Sequence, residues 1–130
     1  RNQPLIFIPA NKFDNSVVFS PSSFFISEVT FRHIYVAKQN RVPNKNIFEN
    51  SNSTNALLLF GGDYLPAPAA YQLFEISINK SLVCKSIGTL KLGLEVKNVF
   101  NSQYRDYLNR FRYFSDDLGR NFIFRSQFIF

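Results

Sequence analysis

Between residues 104 and 120 the chain interleaves guanidinium and phenol groups: Arg105, Arg110, Arg112 and Arg120 stand among Tyr104, Tyr107 and Tyr113. Such a set suits an anionic ligand, because guanidinium forks and phenol hydroxyls match carboxylate and catecholate oxygens. Arg105, Tyr107, Arg110, Arg112 and Tyr113 are therefore the candidate ligand-binding residues. The same stretch holds Asp106, Asp116 and Asp117, and a second reading stands beside the first. In that reading the arginines pair with these carboxylates, or with membrane phosphates, and hold the loop in place.

Little else in the chain is suited to making or breaking bonds. His33 is the single histidine and Cys84 the single cysteine, which excludes an internal disulfide and any Cys/His set with metal-ligand spacing. No paired acid and base, activated nucleophile or phosphate-cradling glycine loop is present, and Gly61-Gly62 is too short a signal to count as one. No enzymatic activity, cofactor or metal site is expected. His33 reads as a packing residue and Cys84, in a short turn, as a spectator.

The net charge of +6 comes from basic residues scattered through alternating segments, so charge by itself selects no partner. No apolar run approaches the roughly 18 to 20 residues of a membrane-spanning helix, and no signal-peptide pattern is present. The composition is unusual in holding 16 Phe and no Met or Trp. The missing initiator Met leads to the expectation that the chain is a fragment, with Arg1 preceded by further residues.

The elements that must position the basic loop are strands. Leu90, Leu92, Leu94 and Val96 alternate with Lys91, Gly93, Glu95 and Lys97, the period of a strand with one apolar and one polar face. Phe122, Phe124, Ser126, Phe128 and Phe130 alternate in the same way with Asn121, Ile123, Arg125, Gln127 and Ile129. Further upstream, strands are expected over residues 12–20, 24–39 and 71–83, and the fourth is expected to run over 89–104. Ile26, His33 and Ile34 interrupt the pattern of the second. Tight turns are expected at 20–23 and 84–88, and long loops at 40–70 and 105–120.

Short and long connections thus alternate, which gives an antiparallel meander with turns at one end and loops at the other. Outer-membrane barrels are built this way, and strands of about 9 to 11 residues suffice to cross the apolar core. If the apolar faces meet lipid, Glu75, Glu95, Lys91, Lys97 and Arg125 line a polar lumen, either solvated or against a plug. His33 and Lys80 fall on the apolar faces, Lys80 toward the short-turn end. A soluble β-sandwich also alternates, because one face of each sheet is buried.

Several segments together resemble the C-terminal end of a TonB-dependent outer-membrane receptor. They are Leu92 to Phe100 running into Asn98-Val99-Phe100-Asn101, then Tyr104-Arg105-Asp106-Tyr107-Leu108, Arg110-Phe111-Arg112-Tyr113-Phe114, Gly119-Arg120-Asn121 and the aromatic final strand. Pro4-Leu5-Ile6-Phe7-Ile8-Pro9 and Lys38-Gln39-Asn40-Arg41-Val42-Pro43 look like segments of the same receptors. The resemblance implies an all-β antiparallel meander forming the last roughly five strands of a transmembrane barrel. Residues 1–130 would then all be barrel, with the plug domain absent from this chain.

It further implies a bacterial outer-membrane location as a multi-pass barrel, and TonB-dependent uptake of a bulky nutrient such as a ferric siderophore. The expected partners are the TonB complex through the missing plug, the barrel-assembly machinery, outer-membrane lipid with lipopolysaccharide, and the iron-complex ligand. No nucleic acid is among them. The family's assembly signal, aromatic-any-aromatic, is matched by Phe128-Ile129-Phe130, although its usual preceding glycine is Arg125 here. The alternative from another class is a soluble β-sandwich binding module for an anionic ligand or single-stranded nucleic acid, in which aromatics stack on bases and arginines meet phosphates.

Overall fold

A computed structural model describes residues 8–22, 25–41, 67–84 and 87–130. Five strands follow one another, β1 (Lys12–Phe19), β2 (Glu28–Val36), β3 (Tyr71–Cys84), β4 (Gly88–Lys97) and β5 (Asn121–Ile129), with a short 3-10 turn, Arg110–Tyr113, before the last. All pairings are antiparallel, and the strands lie in the sheet in the order in which they occur in sequence. The sheet is an open five-stranded meander with β1 and β5 as its two edges. Among the described residues no helix is long and apolar enough to cross a membrane.

Side chains alternate faces along a strand, so register decides what each face of the sheet contains. Val17, Phe31, Ile76, Val96 and Phe122 form one row across all five strands, and Phe19, Val29, Ile78, Leu94 and Phe124 form the next. Lys80, Leu92 and Ser126 make a mixed row, followed by Leu82, Leu90 and Phe128. His33 shares this face opposite Phe74, and the expected placement of His33 and Lys80 agrees with the register.

The opposite face is polar and internally paired. Arg32 grips the Asp14 carboxylate with Nε at 2.7 Å and Nη2 at 2.5 Å, and its Nη1 reaches Glu75 on the next strand at 3.0 Å. Glu95 meets Arg125 at 2.5 Å and Lys97 at 3.5 Å. Asn79 donates to Glu28 at 3.1 Å through space that Gly93 leaves open, since a Cβ there would come 2.9 Å from the Asn79 side-chain oxygen. Charged groups thus neutralise one another across neighbouring strands.

The core is small and lies at one end of the polar face. Ile34, Val36 and Leu73 are buried there, with Ala10, Tyr71 and Tyr104 packed against them. This explains why Ile34 breaks the alternation of β2: it faces the polar side where the chain after β4 folds over it. Gln39, buried, donates to the Ile8 carbonyl and accepts from the Arg41 amide, lacing the segment before β1 to the exit of β2.

The strand boundaries differ from the sequence expectation by one residue at several ends, by three at the end of β2, which stops at Val36, and by more at two others. β2 begins at Glu28, four residues later than expected, and β4 ends at Lys97 instead of reaching residue 104. The early end of β4 has a local cause, because Asn98 and Asn101 adopt positive φ values of 48° and 55°, which turn the chain out of the sheet. At the opposite end Gly88 takes φ 133°, and a Cβ there would collide with the Ile129 carbonyl. The loop expected over 40–70 lies mostly outside the described residues, as does the first of the two upstream resembling segments.

Candidate ligand-binding loop

Residues 98–120 leave β4, fold over the end of the polar face and return into β5. Their shape is set by side chains that bond to backbone. Asn98 is buried; its Oδ1 accepts from the Ser102 amide at 2.8 Å, and its Nδ2 donates to the carbonyls of Ser102 at 2.9 Å and Leu118 at 3.4 Å. Asn101 Oδ1 accepts from the Arg120 amide at 2.8 Å. Two asparagines therefore join the departing and returning limbs.

Higher in the loop the carboxylates are consumed by its own backbone and neighbours. Asp106 accepts from the Tyr71 hydroxyl at 2.6 Å and from the Leu108 amide at 2.8 Å. Asp117 accepts from the Asp106 amide at 2.8 Å and from Asn109 Nδ2 at 2.7 Å. Asn109 caps the 3-10 turn by accepting from the Phe111 amide at 2.9 Å. The Asp117 amide in turn donates to the Tyr104 carbonyl at 2.9 Å.

The Tyr104 ring lies tilted against that of Tyr71, with centroids 4.6 Å apart and planes at 34°. Burial, reinforced by the negative fields of Asp117, Asp106 and Glu75, pushes the Tyr104 phenol above its ordinary value.

The five candidate ligand-binding residues divide. Arg105 donates to Asp116 at 2.5 Å and to the Arg112 carbonyl at 2.9 Å. Arg112 is 4% exposed and lies over the ring of Tyr107, itself 5% exposed. These three are brought together, but as partners of one another or of the loop, which is the arrangement of the second sequence reading. Arg110 is exposed at the start of the 3-10 turn. The side chain of Tyr113 lies outside the described part of the structure. Among the described residues there is no group of three or more metal-ligating side chains.

On the apolar face, His33 stacks on Phe74 at 4.6 Å and Phe74 meets Phe100 edge-on at 5.1 Å. Phe13 and Tyr35 lie one row further toward the long-loop end, 6.3 Å apart. Phe128 and Phe130, the candidate assembly signal, lie at the other end with rings 6.0 Å apart and Phe130 fully exposed. A shallow apolar depression of about 340 Å³ opens between Val17, Phe31, His33, Phe74, Ile76 and Phe100.

Residue type alone did not single out Asn98, Asn101, Asn109 or Asp117 for these roles. The available signal was positional: asparagines that follow directly on a strand tolerate the left-handed region and bond locally to backbone. No family model, curated protein or solved structure matches this chain.

Proposed function

We propose that these five strands are one wall of an outer-membrane β-barrel of the TonB-dependent receptor type, which takes up a bulky nutrient such as an iron complex. The observation that carries the reading is an apolar, largely aromatic face that runs across the five strands and is broken by the mixed row of Lys80, Leu92 and Ser126. Phe74 and Leu82 bound that face on β3. Their separation along the strand is about 27 Å at roughly 3.4 Å per residue. Tilting the strand by about 35–45° reduces this to roughly 19–22 Å, close to the apolar band of about 25 Å on such barrels.

Three further features support it. Phe19, Phe31, Leu94, Phe122, Phe124 and Phe128 are exposed on this face, whereas the opposite face carries the ion pairs expected of a wet lumen. Connections alternate between short, at 20–27 and 85–87, and long, at 37–70 and 98–120. The two edges, β1 and β5, call for neighbouring strands, since an open edge is not tolerated in lipid. Plug, TonB complex and assembly machinery enter as partners of the whole receptor.

Fractionating cells that express the natural full-length protein tests the reading. It requires the protein in the outer membrane, in a form whose electrophoretic mobility shifts on boiling. Recovery as a soluble monomer without detergent would overturn it in favour of a sandwich binding module.

A further inference from the structure

We propose that the long-loop end of the apolar face holds one phosphate-bearing lipid, its phosphate on Arg41 and one acyl chain in the depression between Phe31, Phe74 and Phe100. The inference rests on the barrel reading, in which the long loops face outward and this end lies in the outer leaflet. It adds a selective lipid site to a face that elsewhere meets lipid without selecting it.

The cation is fixed at the edge of this face. The Ala37 amide donates to the Asn11 carbonyl at 2.9 Å, which continues the β1–β2 register and puts Asn11 on the side of Phe13 and Tyr35. Arg41 Nη2 donates to Asn11 Oδ1 at 3.2 Å and to the Pro9 carbonyl at 2.9 Å. The Arg41 backbone is held as well, its amide donating to the buried Gln39 side chain at 2.8 Å. Both acceptors of the guanidinium are neutral, and Arg41 is exposed. No ion pair among the described residues includes it. A guanidinium positioned in advance, with its charge unbalanced, suits a phosphate group.

Below Arg41 the face changes in the order in which a lipid changes. Asn15 pairs with His33 four residues along β1 from Asn11, about 14 Å at roughly 3.4 Å per residue, or roughly 10–11 Å along the membrane normal for strands tilted by about 35–45°. His33 Nε2 lies 3.3 Å from Gln72 Oε1, so polar atoms stand where a headgroup gives way to its chains. The next row, Val17, Phe31 and Ile76, is wholly apolar.

Phe100 turns this stretch of sheet into a groove. It lies beyond the end of β4, between the left-handed Asn98 and Asn101, and its ring meets Phe74 edge-on at 5.1 Å. The Val99 amide secures it by donating to the Phe74 carbonyl at 2.9 Å. The Phe100 ring is 68% exposed and forms one wall of the depression. A free phosphate would use the cation and leave the groove empty, and a neutral lipid would do the reverse. An anionic amphiphile uses both.

The test reconstitutes the full-length protein in phosphatidylcholine vesicles containing a small fraction of lipid A with a diazirine on an acyl chain. Peptide mass spectrometry then maps the photolabel. Peptides holding Phe31, Phe74 and Phe100 should be labelled about tenfold or more above those holding Leu90 and Phe128, at the other end of the same face. Arg41→Gln should bring the two ends to one level. Removing the phosphates from lipid A should do the same on the unaltered protein. Phe100→Ala should lower labelling at Phe31 and Phe74.

Equal labelling of the two ends in the wild type, labelling indifferent to phosphate, or either variant behaving as the wild type would overturn the proposal and leave only unselected boundary lipid. Absence of label from both ends would instead sink the barrel reading, since the face would then be out of contact with lipid.

Discussion

The guanidinium of Arg112 lies 4.3 Å from the centroid of the Tyr107 ring, and both side chains are buried. Two residues whose types suit ligand binding are thus each other's partner in holding a loop. A buried cation–π pair contributes about 2 kcal/mol when desolvated, more than an exposed pair does. Arg112→Ala is expected to destabilise the loop by about that amount, and Arg112→Lys to recover only part of it. Amide hydrogen exchange across residues 104–117 checks this: faster exchange there, with the rest of the sheet unchanged, is the expected result. An unchanged loop together with lost ligand binding would return Arg112 to the ligand.

Asn98 occupies a position with two separate requirements. It adopts φ 48°, and its buried amide bonds both limbs of the loop. Asn98→Ala removes those hydrogen bonds and leaves a Cβ residue in the left-handed region, so it is expected to cost about 2–4 kcal/mol. Asn98→Gly meets the backbone requirement and not the hydrogen-bonding one, and should lie between Ala and wild type. Urea unfolding of the full-length protein in detergent gives the ranking. If Gly and Ala behave alike, the backbone conformation is not what Asn98 supplies.

The strand order, the two faces and the placement of His33 and Lys80 were legible in the sequence, because a period of two is carried by residue type alone. The end of β4 was not. Val99 and Phe100 continue to look like strand residues, and only the left-handed backbone at Asn98 redirects them. The loop was legible as basic and aromatic, but not in its division of labour. Arg105, Arg110 and Arg112 are identical in type, and what separates them is which acceptor the folded backbone brings near: Asp116, solvent or the Tyr107 ring. Such pairings depend on three-dimensional closure between residues 98–102 and 118–120, which no local pattern reports.

Tyr104 gives the loop a dependence on alkaline pH. Its phenol is held above the ordinary value of 10.0 by burial and by Asp117, Asp106 and Glu75. The folded loop therefore keeps the phenol proton more tightly than the unfolded chain does. That contribution is complete below about pH 10 and is lost as pH rises through the folded value. Stability should fall above pH 10 in the wild type and fall less in Tyr104→Phe. The difference in phenolate absorbance between the two, followed against pH, checks the assignment: it should develop above pH 10, and a difference curve centred on pH 10 would show that Tyr104 titrates as an ordinary exposed phenol.

Ile78 distinguishes lipid from a packed second layer. It stands between Val29 and Leu94 on the apolar face, midway along β3 between Phe74 and Leu82. A lysine there is unfavourable in either setting, at about 2–4 kcal/mol in lipid near the midplane, so it separates nothing. A larger apolar side chain does separate them. In a close-packed interior Ile78→Phe forces neighbours off their rotamers, typically at about 1–3 kcal/mol. Lipid chains are fluid and rearrange around the extra volume, so at a lipid-facing site the change should be close to neutral. On the barrel reading, Ile78→Phe leaves the unfolding midpoint of the full-length protein unchanged while Ile78→Lys lowers it. Should both lower it, the face is packed against protein, and the apolar rows across the five strands belong to a sandwich core.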